Sequence, residues 1–154
     1  MDFGGRYRFG AKRDAVWAAL NDAAVLKAVI PGCQGIEWTG PSTLEMKLRV
    51  NFGVIHPTFT GELSLSDVHP AERYRLSGRG KGGLLGLAHG DADIVLSDDG
   101  DGTILDFTAA GKADGGIMRL GKALIGNSAQ QVIDGFFASI GREMGAIVTA
   151  LPRD

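Results

Sequence analysis

"GRGKGGLLGLAHGDADIVLS", residues 78–97, admits two incompatible readings, and the choice between them decides the fold. Gly78, Gly80 and Gly83 have the G-x-G-x-x-G spacing that cradles pyrophosphate in dinucleotide-binding proteins. That chemistry needs a helix to begin straight after the glycines, so that its first N–H groups face the anion. The residues after the glycines alternate with period two instead. Ala88, Gly90, Ala92, Ile94 and Leu96 share one face, while His89, Asp91, Asp93 and Ser97 share the other. P-loop spacing fails as well, because Lys81 is followed by Gly82 rather than Ser or Thr. The stretch therefore reads as strand, glycine-flexible turn and strand, and its glycines have a task other than holding phosphate.

The same alternation extends outward in both directions. Before the turn, Tyr74, Leu76, Gly78 and Gly80 oppose Arg75, Ser77, Arg79 and Lys81. Arg75 and Arg79 beside Asp91 and Asp93 predict cross-strand ion pairs of a few tenths of a kcal/mol each, enough to favour the register but not to hold the fold. Toward the N-terminus, Phe59, Gly61, Leu63 and Leu65 share a face, as do Leu44, Met46, Leu48, Val50 and Phe52, and Ile36 to Trp38 is a short strand. Residues 2–9 alternate too, with Phe3, Gly5, Tyr7 and Phe9 on one side. Beyond the turn at Asp98 to Gly102, a last strand aligns Leu105, Phe107, Ala109, Gly111 and Ala113.

Helical spacing appears in two places. Val16, Trp17, Leu20, Val25, Leu26, Val29 and Ile30 mark two short helices, with Asn21-Asp22 as an N-cap between them and Pro31-Gly32 as the stop. Ile117, Leu120, Leu124, Val132, Phe136, Ile140, Met144, Ile147 and Leu151 predict one long amphipathic helix at the C-terminal end. Its glycines, Gly121, Gly126, Gly135, Gly141 and Gly145, each cost about 0.5–1 kcal/mol of helix stability and predict kinking, fraying or close approach. The whole predicts an α+β helix-grip fold over residues 1–154. A seven-stranded antiparallel sheet curls around the long helix, with two short helices after the first strand.

With 154 residues there is room for one domain and its core. Sixteen basic residues against 18 acidic ones, with both signs scattered, leave no footprint for nucleic acid. The N-terminus lacks a signal-peptide pattern and no segment approaches the ~18 apolar residues of a spanning helix, so a cytoplasmic protein is expected. One cysteine, Cys33, forms no internal disulfide.

Three stretches carry a family likeness: "VIPGCQGIE" at 29–37, the glycine-rich stretch ending in "GDADIVL" at 90–96, and "LGKALIG" followed by "FF" between 120 and 137. Over residues 1 to about 140 the chain resembles the carbon monoxide dehydrogenase G-subunit family, within the START and Bet v 1-like superfamily. The resemblance implies an accessory role for a molybdenum hydroxylase of the carbon monoxide dehydrogenase type, linked to the inner face of the membrane. A quinone or lipid would then be the cargo. Some family members carry a C-terminal membrane tail; this sequence ends at Asp154, so the expectation is transient contact through an apolar mouth.

Where inward side chains of a curled sheet shrink, a void opens against the helix. Tyr7, Leu48, Val50, Phe59, Tyr74 and Phe107 are expected around it, with Gly78, Gly80, Gly90, Ala92, Ala109 and Gly111 as its thinned wall. Leu120, Leu124 and Phe136 would cover it from the helix. The glycines equally suit sheet twist or close packing of the helix. One edge of the meander gathers polar turns; the other gathers Pro31, Gly32 and Cys33, then Val54 and Ile55, then Leu84, Leu85 and Leu87, then Ile117 and Met118. Those apolar loops suggest a pocket mouth or a docking patch, unless they simply cap the core.

Catalytic candidates are sparse. His56, His69 and His89 lack metal-ligand spacing, the Asp98/Asp99/Asp101 turn lacks the downstream glutamate of a calcium loop, and no base can be paired with Cys33, so no metal and no catalytic residue is assigned. Only the phenols of Tyr7 and Tyr74 lie inward. The expected function is a carrier without catalysis, burying about 300 Å² of an apolar ligand for a gross gain near 7 kcal/mol. The alternative is a cyclase or dehydratase acting on a hydrophobic substrate in the same pocket, with one phenol as its acid or base.

Overall fold

Period-two alternation resolves into one antiparallel sheet in the computed structural model, which describes residues 2–30, 32–49, 56, 58–81, 87–113 and 122–152. Its strands are β1 (Asp2–Phe9), β2 (Cys33–Trp38), β3 (Thr43–Arg49), β4 (Thr58–His69), β5 (Arg73–Lys81), β6 (Leu87–Asp99), β7 (Gly102–Ala113) and β8 (Val148–Leu151), in the order β2-β3-β4-β5-β6-β7-β1-β8. The helices are α1 (Arg13–Leu20), α2 (Ala23–Val29) and α3 (Lys122–Met144). Gly78 pairs with Gly90 and Leu76 with Ala92, so the stretch quoted first forms adjacent antiparallel strands. Arg75 faces Asp93 at 3.4 Å and also reaches Asp91 at 3.9 Å. Arg79, expected beside these aspartates, lies opposite His89 instead, because Ser77 occupies the position opposite Asp91.

Local chemistry explains the start of α2. Asp22 caps α2, its Oδ1 accepting from the N–H of Ala24 at 2.9 Å and of Val25 at 3.3 Å. The C-terminal end departs from expectation. Rather than running on through Ile147 and Leu151, α3 stops at Met144, and an eighth strand comes after it. Gly145 has φ +71°, the Gly145 N–H donates to the Arg142 carbonyl at 3.3 Å, and the Ala146 N–H donates to the Gly141 carbonyl at 2.8 Å. This pair of bonds is a Schellman motif, in which glycine takes the left-handed position that reverses the chain. β8 then pairs with β1, Val148 opposite Phe9 and Leu151 opposite Arg6. A Cβ on Gly141 would collide with Val148 Cγ2, so the helix has glycine where β8 folds back over it. Gly145→Ala is expected to destabilise the protein by about 1–2 kcal/mol, since alanine must adopt positive φ. Thermal unfolding would show a melting temperature lower by about 2–4 °C per kcal/mol.

The core lies between the concave face of the sheet, α1 and the second half of α3. Phe9, Val16, Leu105, Phe137 and Ile140 are its most deeply buried large apolar side chains. Phe137 anchors it, with ring centroids 4.6 Å from Tyr7, 5.1 Å from Phe136 and 5.5 Å from Phe107. Gly5 has no side chain because the Tyr7 ring folds back across it. The Tyr7 hydroxyl donates to Asp134 Oδ1 at 2.5 Å, and Gln130 donates to the Gly4 carbonyl and to the same Asp134 oxygen, each at 3.1 Å. This network ties α3 to β1.

Candidate functional site: an apolar hollow between sheet and helices

Curling the sheet around α3 leaves space that side chains do not fill. An inner cavity of about 270 Å³ lies between β2–β7, the α1–α2 corner and α3. Leu44, Leu63, Leu76 and Ile94 form its sheet wall, Leu20, Leu26 and Ile30 come from the α1–α2 corner, and Ile133, Phe136 and Phe137 from α3. A second, more open groove of about 480 Å³ lies toward the glycine-rich end. The two adjoin across Met46, Leu48, Leu63, Leu76 and Phe107, which line both.

Sequence-derived candidates divide between these spaces. Tyr74 and Phe136 line the inner cavity, Leu48 and Phe107 line both, and Phe59, Gly78, Gly80, Gly90, Ala92, Ala109 and Gly111 line the groove. Tyr7 is not among the lining residues; it packs on Phe137 with its hydroxyl engaged by Asp134. Val50 and Leu120 lie outside the described residues, as do Pro31, Val54, Ile55, Leu84, Leu85, Ile117 and Met118. For Leu124 and Leu87 the backbone is described but not the side chain. Gly32 has φ +74°, and its carbonyl accepts from the Arg49 N–H at 2.9 Å. A Cβ there would collide with the Arg49 carbonyl oxygen, so this glycine is a backbone joint against the end of β3. Cys33 pairs opposite Leu48, with Sγ 3.5 Å from the Gly35 carbonyl.

The thinned wall is not uniform. A Cβ on Gly80 would find nothing closer than the Thr60 carbonyl oxygen at 4.0 Å, and one on Gly111 would make ordinary contact at 3.5 Å with the His89 carbonyl. These positions border open space. A Cβ on Gly90 would sit 2.7 Å from the Ala110 carbonyl oxygen and 3.3 Å from Gly111 Cα. Gly90 therefore serves close approach of β6 to β7, the second task strand glycines perform.

Polar groups at the inner cavity are few: Asn21 at the α1–α2 corner, the Trp38 indole on β2 and Tyr74 on β5. Asn21 donates its amide to the Trp17 carbonyl at 2.9 Å. Tyr74 is 5% exposed, its ring edge-on to Trp17 with centroids 5.0 Å apart. Among the described residues its hydroxyl has no hydrogen-bond partner, and its oxygen is not fully covered by protein. Burial pushes its phenol well above the ordinary tyrosine range, so at neutral pH it is un-ionised. The described lining holds no carboxylate, histidine, lysine or arginine.

The inner cavity was the less legible part. In the sequence Leu20 and Ile30 read as apolar positions of the two short helices, Trp38 as the end of a short strand and Phe137 as part of the family-like "FF", and only the path of α1–α2 over the sheet leaves a gap between them.

The family model for the G subunit of carbon monoxide dehydrogenase (CoxG) matches residues 5–145. The chain belongs to that family. No curated protein matches it. Among solved structures, this CoxG-family chain is similar to a conserved protein from Geobacillus kaustophilus, with 22% identity, TM-score 0.86 and coverage of 96% of this chain and 99% of that one. The Zhui aromatase/cyclase from Streptomyces sp. R1128 has 15% identity, TM-score 0.67 and coverage of 94% and 93%. Ara h 8.0201 has 14% identity, TM-score 0.65 and coverage of 94% and 97%. The CoxG-family chain thus has the Bet v 1-like fold, with eight strands where the sequence pattern predicts seven. Among the described residues no helix is long and apolar enough to cross a membrane.

Proposed function

We propose that this protein is a carrier that encloses an apolar small molecule, a quinone or another lipid, and serves a molybdenum hydroxylase of the carbon monoxide dehydrogenase type at the membrane. The observation that carries the proposal is the pair of adjoining apolar spaces, because enclosing apolar surface is favourable by about 25 cal/mol/Å² and needs no buried charge. Family membership supports the client enzyme. The phenols suit holding a ligand more than transferring protons: Tyr7 is committed to Asp134 and Tyr74 is un-ionised at neutral pH.

Membrane contact is supported by charge segregation. Arg49 ends β3 opposite Thr58, and Lys81 ends β5 opposite Leu87, so both stand at the glycine-rich end of the sheet, with Lys47 and Arg79 close behind. All four are exposed and form no ion pair among the described residues. No acidic residue occurs between Glu45 and Glu62, or between Ser77 and Asp91. At the opposite end Arg8 and Arg13 are paired with Asp99 and Asp98, at 2.7 and 2.8 Å. Cations around the open end of an apolar hollow would bring that end to an anionic lipid surface.

Vesicles of anionic phospholipid doped with a polyprenyl quinone provide the test. After incubation and flotation, the unbound protein should carry quinone, detected by native mass spectrometry and organic extraction. Membrane association should fall as salt rises toward about 1 M, where the Debye length shrinks to about 3 Å. The double variant Lys47→Glu/Arg49→Glu should associate less while still binding quinone supplied in detergent. Protein that takes up no apolar ligand from vesicles or detergent would overturn the carrier function.

A further inference from the structure

Among the described residues the Tyr74 hydroxyl has no hydrogen-bond partner, and Tyr74 lines a cavity whose other polar side chains are only Asn21 and the Trp38 indole. The hydroxyl is not sealed from solvent in the free protein, but a ligand that fills the cavity and expels water would leave it unpaired, at a cost of roughly 1–3 kcal/mol, unless that ligand supplies an acceptor. Packing does not require the hydroxyl. A phenylalanine would supply the same edge-on contact to Trp17 and fill the same space against Ile94. Asn21, another polar side chain at the cavity, already donates to the Trp17 carbonyl.

Resting on the carrier function, we infer that the ligand is an apolar molecule bearing a hydrogen-bond-accepting oxygen, such as a ring carbonyl, at the end that enters first, and that Tyr74 donates to this oxygen. The hydrocarbon remainder then extends along Met46, Leu48 and Phe107 into the groove beside Gly80 and Gly111. Burial favours this role twice. It keeps the phenol protonated, hence a donor, and it removes the water that would compete for the bond. An acceptor-free hydrocarbon of the same shape would exclude water from the hydroxyl and leave it unpaired. Recognition of this kind, one donor in an apolar chamber, selects by the presence of an acceptor rather than by the details of the tail.

Fluorenone and fluorene are suitable probes, since they share a tricyclic frame and differ by a carbonyl in place of a methylene. Calorimetric or fluorescence titration of the full chain should show fluorenone binding about tenfold more tightly than fluorene, the value expected of one buried hydrogen bond that relieves an unpaired donor. Tyr74→Phe should erase that preference by weakening fluorenone alone, with fluorene unchanged. The ligand-free variant should melt no lower than the wild type, because no bond within the protein is lost. Equal affinities for both probes in the wild type would overturn the inference while leaving the carrier function standing. A markedly lower melting temperature for ligand-free Tyr74→Phe would overturn it too, by revealing a partner inside the protein. If neither probe nor a polyprenyl quinone binds the wild type, the carrier function itself falls, and this inference with it.

Discussion

Gly80→Leu is expected to weaken binding of an apolar ligand by about ten- to a hundredfold, the cost of forcing extra methylenes into space a ligand must share. Its melting temperature should stay within a few degrees of the wild type, because among the described residues beyond its chain neighbours the added Cβ comes no closer than 4.0 Å to any atom, and the backbone has no positive φ to lose. Gly90→Leu, at a position that looks equivalent in the sequence pattern, should behave in the opposite way. Its Cβ would meet the Ala110 carbonyl oxygen at 2.7 Å, and backbone cannot step aside as a side chain can. A destabilisation of about 1–3 kcal/mol or more is expected, seen as a loss of about 2–4 °C in melting temperature per kcal/mol. Thermal scans and ligand titrations of the two variants side by side check both statements. Unchanged affinity in Gly80→Leu would remove the groove from the binding site, and an undisturbed melting temperature in Gly90→Leu would contradict the close approach of β6 to β7.

Phe137→Ala is expected to be the most damaging single core truncation, at about 3–5 kcal/mol. The ring is 2% exposed and touches Tyr7, Phe107 and Phe136, so its loss uncouples α3 from β1 and β7 at once. A fall in melting temperature of roughly 6–20 °C corresponds to that range. The phenylalanine also lines the inner cavity, so the variant enlarges the hollow it destabilises. A small apolar ligand such as benzene should therefore raise the melting temperature of Phe137→Ala more than that of the wild type. A variant of near wild-type stability would mean that the core is anchored elsewhere.

Much of the fold was readable in one dimension because a strand with one buried face must alternate, and Tyr74, Leu76, Ile94 and Leu96 do so without a break. The Asp22 cap was readable for the same reason of locality: donor and acceptor lie within three residues. The end of α3 was not read correctly, although its cause is local too. Ile147 and Leu151 continue a helical period by coincidence, and Gly145 counted as one more weak helix former rather than as the left-handed stop it is. The register of Arg79 depended on pairing between strands, which alternation alone leaves free to shift.

The hollow shows the division most clearly. Glycines at 78, 80, 90 and 111 announced that side chains were missing from one end of the sheet. They could not announce which absences face open space, as at Gly80, and which admit a neighbouring backbone, as at Gly90. Nor could composition place a cavity among Leu20, Ile30, Trp38 and Phe137, all large residues that would fill a core if the elements bearing them met. The sequence by itself determined periodicity, caps and the ends of most strands, since those arise from contacts a few residues apart. Whether large side chains on α1, α2, α3 and the sheet meet or leave a space is decided by the angles at which those elements cross, and these are set by packing over the whole chain.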